Sequence, residues 1–234
     1  MPASGIIGLI GPNGSGKSTS VDCISGFQAA DGGRWFLDGV ELTGLPPYRH
    51  STAGLSRTFQ EVRAYNELSL LDNLIVAAQE HDGHGWWAAF TSSPAQRRTE
   101  AAAAMRAAEL LALVNLDAYG QAPASVLSYG QRKLLAIAAA MMSAPKIIVL
   151  DEPVAGVNPT MIRQIEGIVR RLNRDGVALL LIEHNLDFIM NLCHRIIVLE
   201  QGRKIAEGSP AAIRSDPRVL AAYIGVDPRS ASSG

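Results

Sequence analysis

One run, Gly11-Pro12-Asn13-Gly14-Ser15-Gly16-Lys17-Ser18-Thr19, restricts the fold more than anything else in the chain. It matches the phosphate-loop pattern, with Gly11, Gly16, Lys17 and Ser18 in the four fixed places. The apolar run Gly5 to Ile10 ahead of it reads as a buried strand, and Ser18 to Ile24 behind it read as the first turns of a helix. A strand, a glycine-rich turn and a helix in that order aim backbone N–H groups at a phosphate. The glycines let the loop take positive φ and let the backbone itself approach the ligand. Gly11, Pro12, Asn13, Gly14, Ser15, Gly16, Lys17, Ser18 and Thr19 are therefore the candidate phosphate-binding residues. Lys17 would meet the β- and γ-phosphates, and Ser18 would hold Mg²⁺.

Composition narrows the class further. The 234 residues suit one large domain, or a domain with a subdomain, and 47% hydrophobic against 18% charged residues is ordinary for a chain with a core. A net charge of -1 gives no basic field that points to nucleic acid. Cys23 and Cys193 lie far apart without Cys-x-x-Cys spacing, so neither a disulfide framework nor a cysteine metal site is expected, and a reducing cytoplasm fits. Met1-Pro2-Ala3-Ser4 runs straight into the first strand without the look of a signal peptide. The longest apolar stretch, Leu134 to Ala144, is too short to span a bilayer.

Strand-like and helix-like segments alternate, which predicts α/β architecture with a largely parallel central sheet. Arg34 to Leu42 reads as a β-hairpin turning at Asp38-Gly39, and Leu55 to Gln60 as a further short strand. Composition then changes. Leu68 to Glu80 is amphipathic and helical, His81 to Pro94 is loop-like with Trp86 and Trp87, and the alanine-rich Ala95 to Val114 is a helix. Residues 61–125 form a helical insertion on this reading, residues 1–60 and 126–225 the core, and residues 226–234 a frayed tail. Within the second part of the core, helices are expected at Gln131 to Ser143 and Met161 to Arg174. Buried strands are expected at Ile147 to Leu150 and Val177 to Ile182, and a hairpin at Ile196 to Glu207.

Three further constellations carry chemistry. Ile147 to Leu150 end in Asp151-Glu152, and the carboxyl end of a buried strand is where an α/β sheet places its ligand. There Asp151 would reach Mg²⁺, and Glu152 would polarise an attacking water. Leu127-Ser128-Tyr129-Gly130-Gln131 precedes a helix that Ser128 can cap, while Gly130 lets a ligand come close. His184 follows the apolar strand Val177 to Ile182, placed to donate to a γ-phosphate.

Together these motifs, with Thr58-Phe59-Gln60 among them, resemble those of the ATP-binding cassette (ABC) ATPases in order and spacing, across nearly the whole chain. The resemblance implies a RecA-like phosphate-loop NTPase core with an inserted α-helical subdomain and a partial antiparallel β subdomain. It implies ATP and Mg²⁺ as cofactors, with Glu152, His184 and Gln60 catalytic and Ser18, Gln60 and Asp151 at the metal. It also implies a head-to-tail dimer in which Ser128, Gly130 and Gln131 serve the nucleotide held by the other subunit. Ala155 to Pro159 stand where relatives have the loop crossing that dimer interface, with Asn158 in place of a common aspartate. Permease subunits, and indirectly a substrate-binding protein, would be the further partners, and would hold the chain on the cytoplasmic face of the membrane.

A narrower likeness rests on Thr58 to Arg63, Leu71 to Leu74, Tyr129, Ala155 to Pro159, Ile182 to Asn185 and Ala222 to Gly225. These are similar to the LivG-like ATPases of branched-chain amino acid importers. Urea- or amide-import and lipopolysaccharide-export ATPases look similar too. The family pattern also carries two strands ahead of the phosphate loop, with an aromatic residue between them that stacks on adenine. Only Met1 to Ser4 stand there, so no residue can be assigned that role from the sequence, and the hairpin near Trp35 is expected to expose an edge. Three readings compete, a misplaced start codon, a truncated or split gene, and a true variant with weak base selectivity, and the first two are the expectation. A chain truly this short would bind ATP weakly.

Overall fold

The computed structural model describes residues 5–58, 64–82 and 94–224. Its centre is a six-stranded sheet built on β1 (Ile6–Ile10), β4 (Leu55–Arg57), β5 (Ile147–Asp151), β6 (Ala178–Ile182), β7 (Arg195–Glu200) and β8 (Arg203–Gly208). The order is β4-β5-β6-β1-β7-β8. All neighbours run parallel except β7 and β8, which form an antiparallel hairpin with a register shift between Val198 and Leu199. β1 is buried at every position, as parallel strands covered on both faces must be, and that is why it reads as an unbroken apolar run.

Register places the chemistry. Leu9 and Asp151 both pair with Ile182, so β1, β5 and β6 end at one sheet edge. The three turns leaving that edge begin at Gly11, Glu152 and Glu183. Helix α1 (Lys17–Ile24) follows β1, α6 (Pro159–Arg174) joins β5 to β6, and α7 (Leu186–Leu192) joins β6 to β7. Gly8 permits the close seating of α7, because a Cβ there would come to 3.0 Å of both Cys193 Sγ and Ile189. The same burial pushes the Cys193 thiol up to about 12, which leaves it an inert packing group.

Most apolar side chains form one core between the sheet and the helices α3 (Leu70–Asp82), α4 (Pro94–Leu113), α5 (Tyr129–Ala140) and α6. Fully buried Leu74, Leu110, Leu134, Ile148 and Ile165 lie in it, each contributing roughly 1.5–3 kcal/mol by leaving water. A smaller cluster of Leu9, Val21, Val149, Ile182 and Leu199 covers the opposite face under α1. The short hairpin β2 (Phe36–Leu37) and β3 (Val40–Glu41) turns through left-handed Asp38 and Gly39, and Leu37 and Leu42 pack on Leu55.

Several elements escape sequence reading. Helix α2 (Pro47–Ala53) is too short for an apolar period; Pro47 opens it, and Gly54 at φ 104° closes it. Helices α7, α8 (Pro210–Arg214) and α9 (Pro217–Ile224) are likewise short. α5 stops at Ala140 rather than Ser143, because Ala144 is left-handed and Pro145 follows, although the apolar run continues through Met141 and Met142. Among the described residues no helix is long and apolar enough to cross a membrane.

Candidate nucleotide site

The turn after β1 is made by backbone. Gly11, Gly14 and Gly16 take φ of 154°, 77° and 95°, values that side chains resist. At Gly11 the need is steric as well, since a Cβ would lie 2.1 Å from the Leu199 carbonyl oxygen. No side chain caps α1, so its first N–H groups are left for a ligand. Lys17 folds back over the loop, donating to the carbonyls of Gly11 at 2.8 Å and Pro12 at 3.0 Å. Burial pulls its pKa down, while the nearby carboxylates of Glu152 and Asp151 push it up. The Ser15 hydroxyl is buried without a hydrogen-bond partner. A buried cation, an orphaned hydroxyl and an open helix N-terminus fit a phosphate group. Asn13, Gly14, Ser18 and Thr19 are exposed around this cradle. The β7–β8 turn braces it from the side, with Gly202 N–H donating to the Ser15 carbonyl at 3.0 Å.

The turn after β5 is made by side chains. Glu152 sits at φ 49°, a left-handed conformation that a glutamate holds only under constraint. Its N–H donates to the Ile182 carbonyl at 2.8 Å, and its carbonyl accepts from buried Lys133 of α5 at 2.9 Å. The Glu183 carboxylate, 2% exposed, accepts the N–H groups of Val154, His184 and Asn185, tying the β5 and β6 turns together. Burial raises its pKa; the three backbone donors pull the other way, and Glu152 adds to the rise. Across this joint, His184 Nε2 stands 3.5 Å from Glu152 Oε1. Asp151 donates its N–H to the Thr58 hydroxyl at 3.3 Å and accepts from Arg57 at 3.1 Å.

Ser128 caps α5 through a complete capping box, exchanging bonds with the Gln131 backbone and side chain. Gly130 faces Met161, 2.9 Å from where its Cβ would stand, so its lack of a side chain serves packing against α6 as well as access. Tyr129 lies beside Lys133 and Gly156, which joins the Leu127 to Gln131 stretch to the Glu152 turn and to Ala155 to Pro159. The structure therefore brings Lys17, Asp151, Glu152 and His184 to one edge; Gln60 and Trp86-Trp87 lie outside the described residues. Lys133 and Arg57 have no motif to announce them, and Glu183 stands in the Ile182 to Asn185 run without a role assigned to it. A basic or acidic residue in a run otherwise bound for the core is the only signal each leaves.

Comparison with known proteins identifies the family. A family model described as ABC transporter matches residues 1–155, and one described as branched-chain amino acid ATP-binding cassette transporter matches residues 203–228. The chain is 40% identical over 221 residues to the high-affinity branched-chain amino acid transport ATP-binding protein BraF of Pseudomonas aeruginosa, covering 94% of this chain and 87% of that one. It is 38% identical to the Escherichia coli K12 protein LivG over the same shares. Among solved structures, an ATP-binding cassette of an ABC transporter in its ADP conformation superimposes with a TM-score of 0.81 at 33% identity, over 94% of this chain and 88% of that one.

Proposed function

The chain belongs to the ABC transporter family of ATP-binding cassettes, and from that membership we propose that it hydrolyses ATP to drive import of branched-chain amino acids through a membrane permease. The convergence of Lys17, Asp151, Glu152 and His184 at one sheet edge carries the catalytic part of this reading. ATP with Mg²⁺, when bound, supplies the phosphoanhydride and the cation that offsets its charge. Lys17 and the loop N–H groups bind the phosphates, and Ser18 and Asp151 offer oxygen donors to Mg²⁺. Among the described residues no group of three or more His, Cys, Asp or Glu could hold a metal ion.

Glu152 orients the attacking water and takes its proton, and His184, within reach of Glu152, donates to the γ-phosphate. Gln60 joins the metal side. Ser128, Gly130 and Gln131 complete the nucleotide site of a second subunit, so the working form is a dimer. Residues 61–125 act as the helical subdomain against a core of residues 1–60 and 126–225. A cleft of about 600 Å³, lined by Phe27, Tyr48, Arg57, Asn73, Val76 and Ala136, takes the permease and holds the chain peripherally at the membrane. The names borne by the relatives support branched-chain amino acids as cargo.

The test is Glu152→Gln in the purified transporter complex. Nucleotide binding stays near wild type, and hydrolysis falls by about 100-fold or more, the usual scale of a lost general base. An unchanged turnover rate sinks the assignment. Uptake of labelled leucine by vesicles carrying the complex and its binding protein tests the cargo; uptake of urea instead would overturn it.

A further inference from the structure

Arg57 ends β4 at the sheet edge and belongs to none of the motifs. Its guanidinium is divided between two acids. Nη1 donates to Asp22 of α1 at 2.5 Å and Nη2 to Asp151 at 3.1 Å, with the Phe27 ring 5.8 Å away. The arginine side chain is 9% exposed and that of Asp151 12%, so water screens this pair weakly. The planar fork lets one cation serve both carboxylates at once.

We infer that Arg57 is a positioning residue that neutralises Asp151 before the metal arrives and yields it to Mg²⁺, keeping Asp22 as its own seat. The inference rests on the assignment of Asp151 to Mg²⁺ made above. A carboxylate already paired to a guanidinium attracts a dication less, so metal and arginine compete for Asp151. The shorter bond to Asp22 gives Arg57 a place to remain once Asp151 turns away. Arg57 also lines the cleft between α2, α3 and α5, which sets it between that surface and the nucleotide edge.

Competition makes two substitutions act in opposite directions. Arg57→Gln leaves Asp151 without this guanidinium; Asp22→Asn removes the acid that draws Arg57 away from Asp151. The readout is the Mg²⁺ concentration that half-saturates tightening of a fluorescent ATP analogue on the purified full chain, with melting curves to verify folding. Arg57→Gln should lower that concentration about tenfold, the lower end of what one neighbouring charge does to a carboxylate, and Asp22→Asn should raise it severalfold. A shift in the same direction for both, or no shift for either, overturns the inference. Should Arg57→Gln fail to fold, Asp22→Asn decides alone: an unchanged or lowered midpoint refutes the competition. Asp151→Asn separates the two levels. If it leaves the Mg²⁺ dependence intact, the assignment of Asp151 falls and the inference with it; if it abolishes the dependence while Arg57→Gln changes nothing, only the role of Arg57 falls.

Discussion

The turn that follows β1 and the turn that follows β5 leave the same sheet edge, yet opposite means hold them. The first takes its left-handed positions with Gly11, Gly14 and Gly16, and a ligand meets backbone. The second puts Glu152 itself at φ 49° and holds it by two groups brought from elsewhere, Lys133 on α5 and Glu183 on the next turn. A backbone cradle needs glycine and little else. A carboxylate that must be aimed needs a side chain at the strained position, so the strain has to be balanced by contacts.

The largest break falls on the glycine turn. Gly11→Ala would drive a methyl to 2.1 Å from the Leu199 carbonyl, a backbone atom of β7 that cannot step aside. The substitution should destabilise the fold by about 3 kcal/mol, the upper range for overpacking, and displace the loop from its phosphate. Chemical denaturation and equilibrium binding of an ATP analogue measure both. Near-normal affinity would show that the loop does not depend on this contact.

Next comes the support of the second turn. Lys133→Met keeps the length and apolar stem of the side chain but removes the charged donor to the Glu152 carbonyl. The loss should be about 2 kcal/mol, as for other hydrogen bonds from charged groups. Hydrolysis should fall with it while nucleotide affinity holds, because the affected turn carries the proposed base and not the proposed cradle. Equal losses in affinity and turnover would instead mean that both turns share one support.

The contrast explains what could be read from the sequence. The phosphate loop, the Asp151-Glu152 pair and the buried strands are local patterns whose cause lies within a few residues. Hydrophobic runs at β1, β5 and β6 gave the parallel sheet, and Asp38-Gly39 gave the hairpin turn. Lys133, Glu183 and Arg57 act over separations of 19, 29 and 94 residues, so nothing near them marks the partner. Helices α2, α7 and α8 were hidden for a different reason: five to seven residues cannot display a 3.6-residue period, and packing alone decides them.

A milder change sits within the first turn. Gly14→Ala meets nothing within 4 Å and has only its φ of 77° to resist it, so about 1 kcal/mol is expected. The difference between Gly11→Ala and Gly14→Ala measures steric contact against backbone strain in one loop. If the two melt alike, the close approach to Leu199 has relaxed.

The smallest effect at any one pH belongs to Glu183, and its sign is informative. Burial holds its folded-state pKa above the ordinary glutamate value, so the folded protein keeps the proton more tightly than the unfolded chain does. Stability from this group is complete below the ordinary value and declines as pH rises through the raised one. Glu183→Gln is neutral throughout and lacks that decline. The variant should therefore match wild type in melting temperature near pH 4 and gain on it as pH rises through that window. It should also hydrolyse ATP more slowly, because an amide offers one acceptor oxygen to the N–H groups of Val154, His184 and Asn185 where the carboxylate offers two. Melting temperatures of the pair across the pH range, with hydrolysis rates in the complex, check both halves. Wild type gaining on the variant as pH rises would mean that the backbone donors outweigh burial and that the second turn is held by a comfortable charge. A gain in stability coupled to a loss of rate would place the strain of the Glu152 turn in the same account as its chemistry.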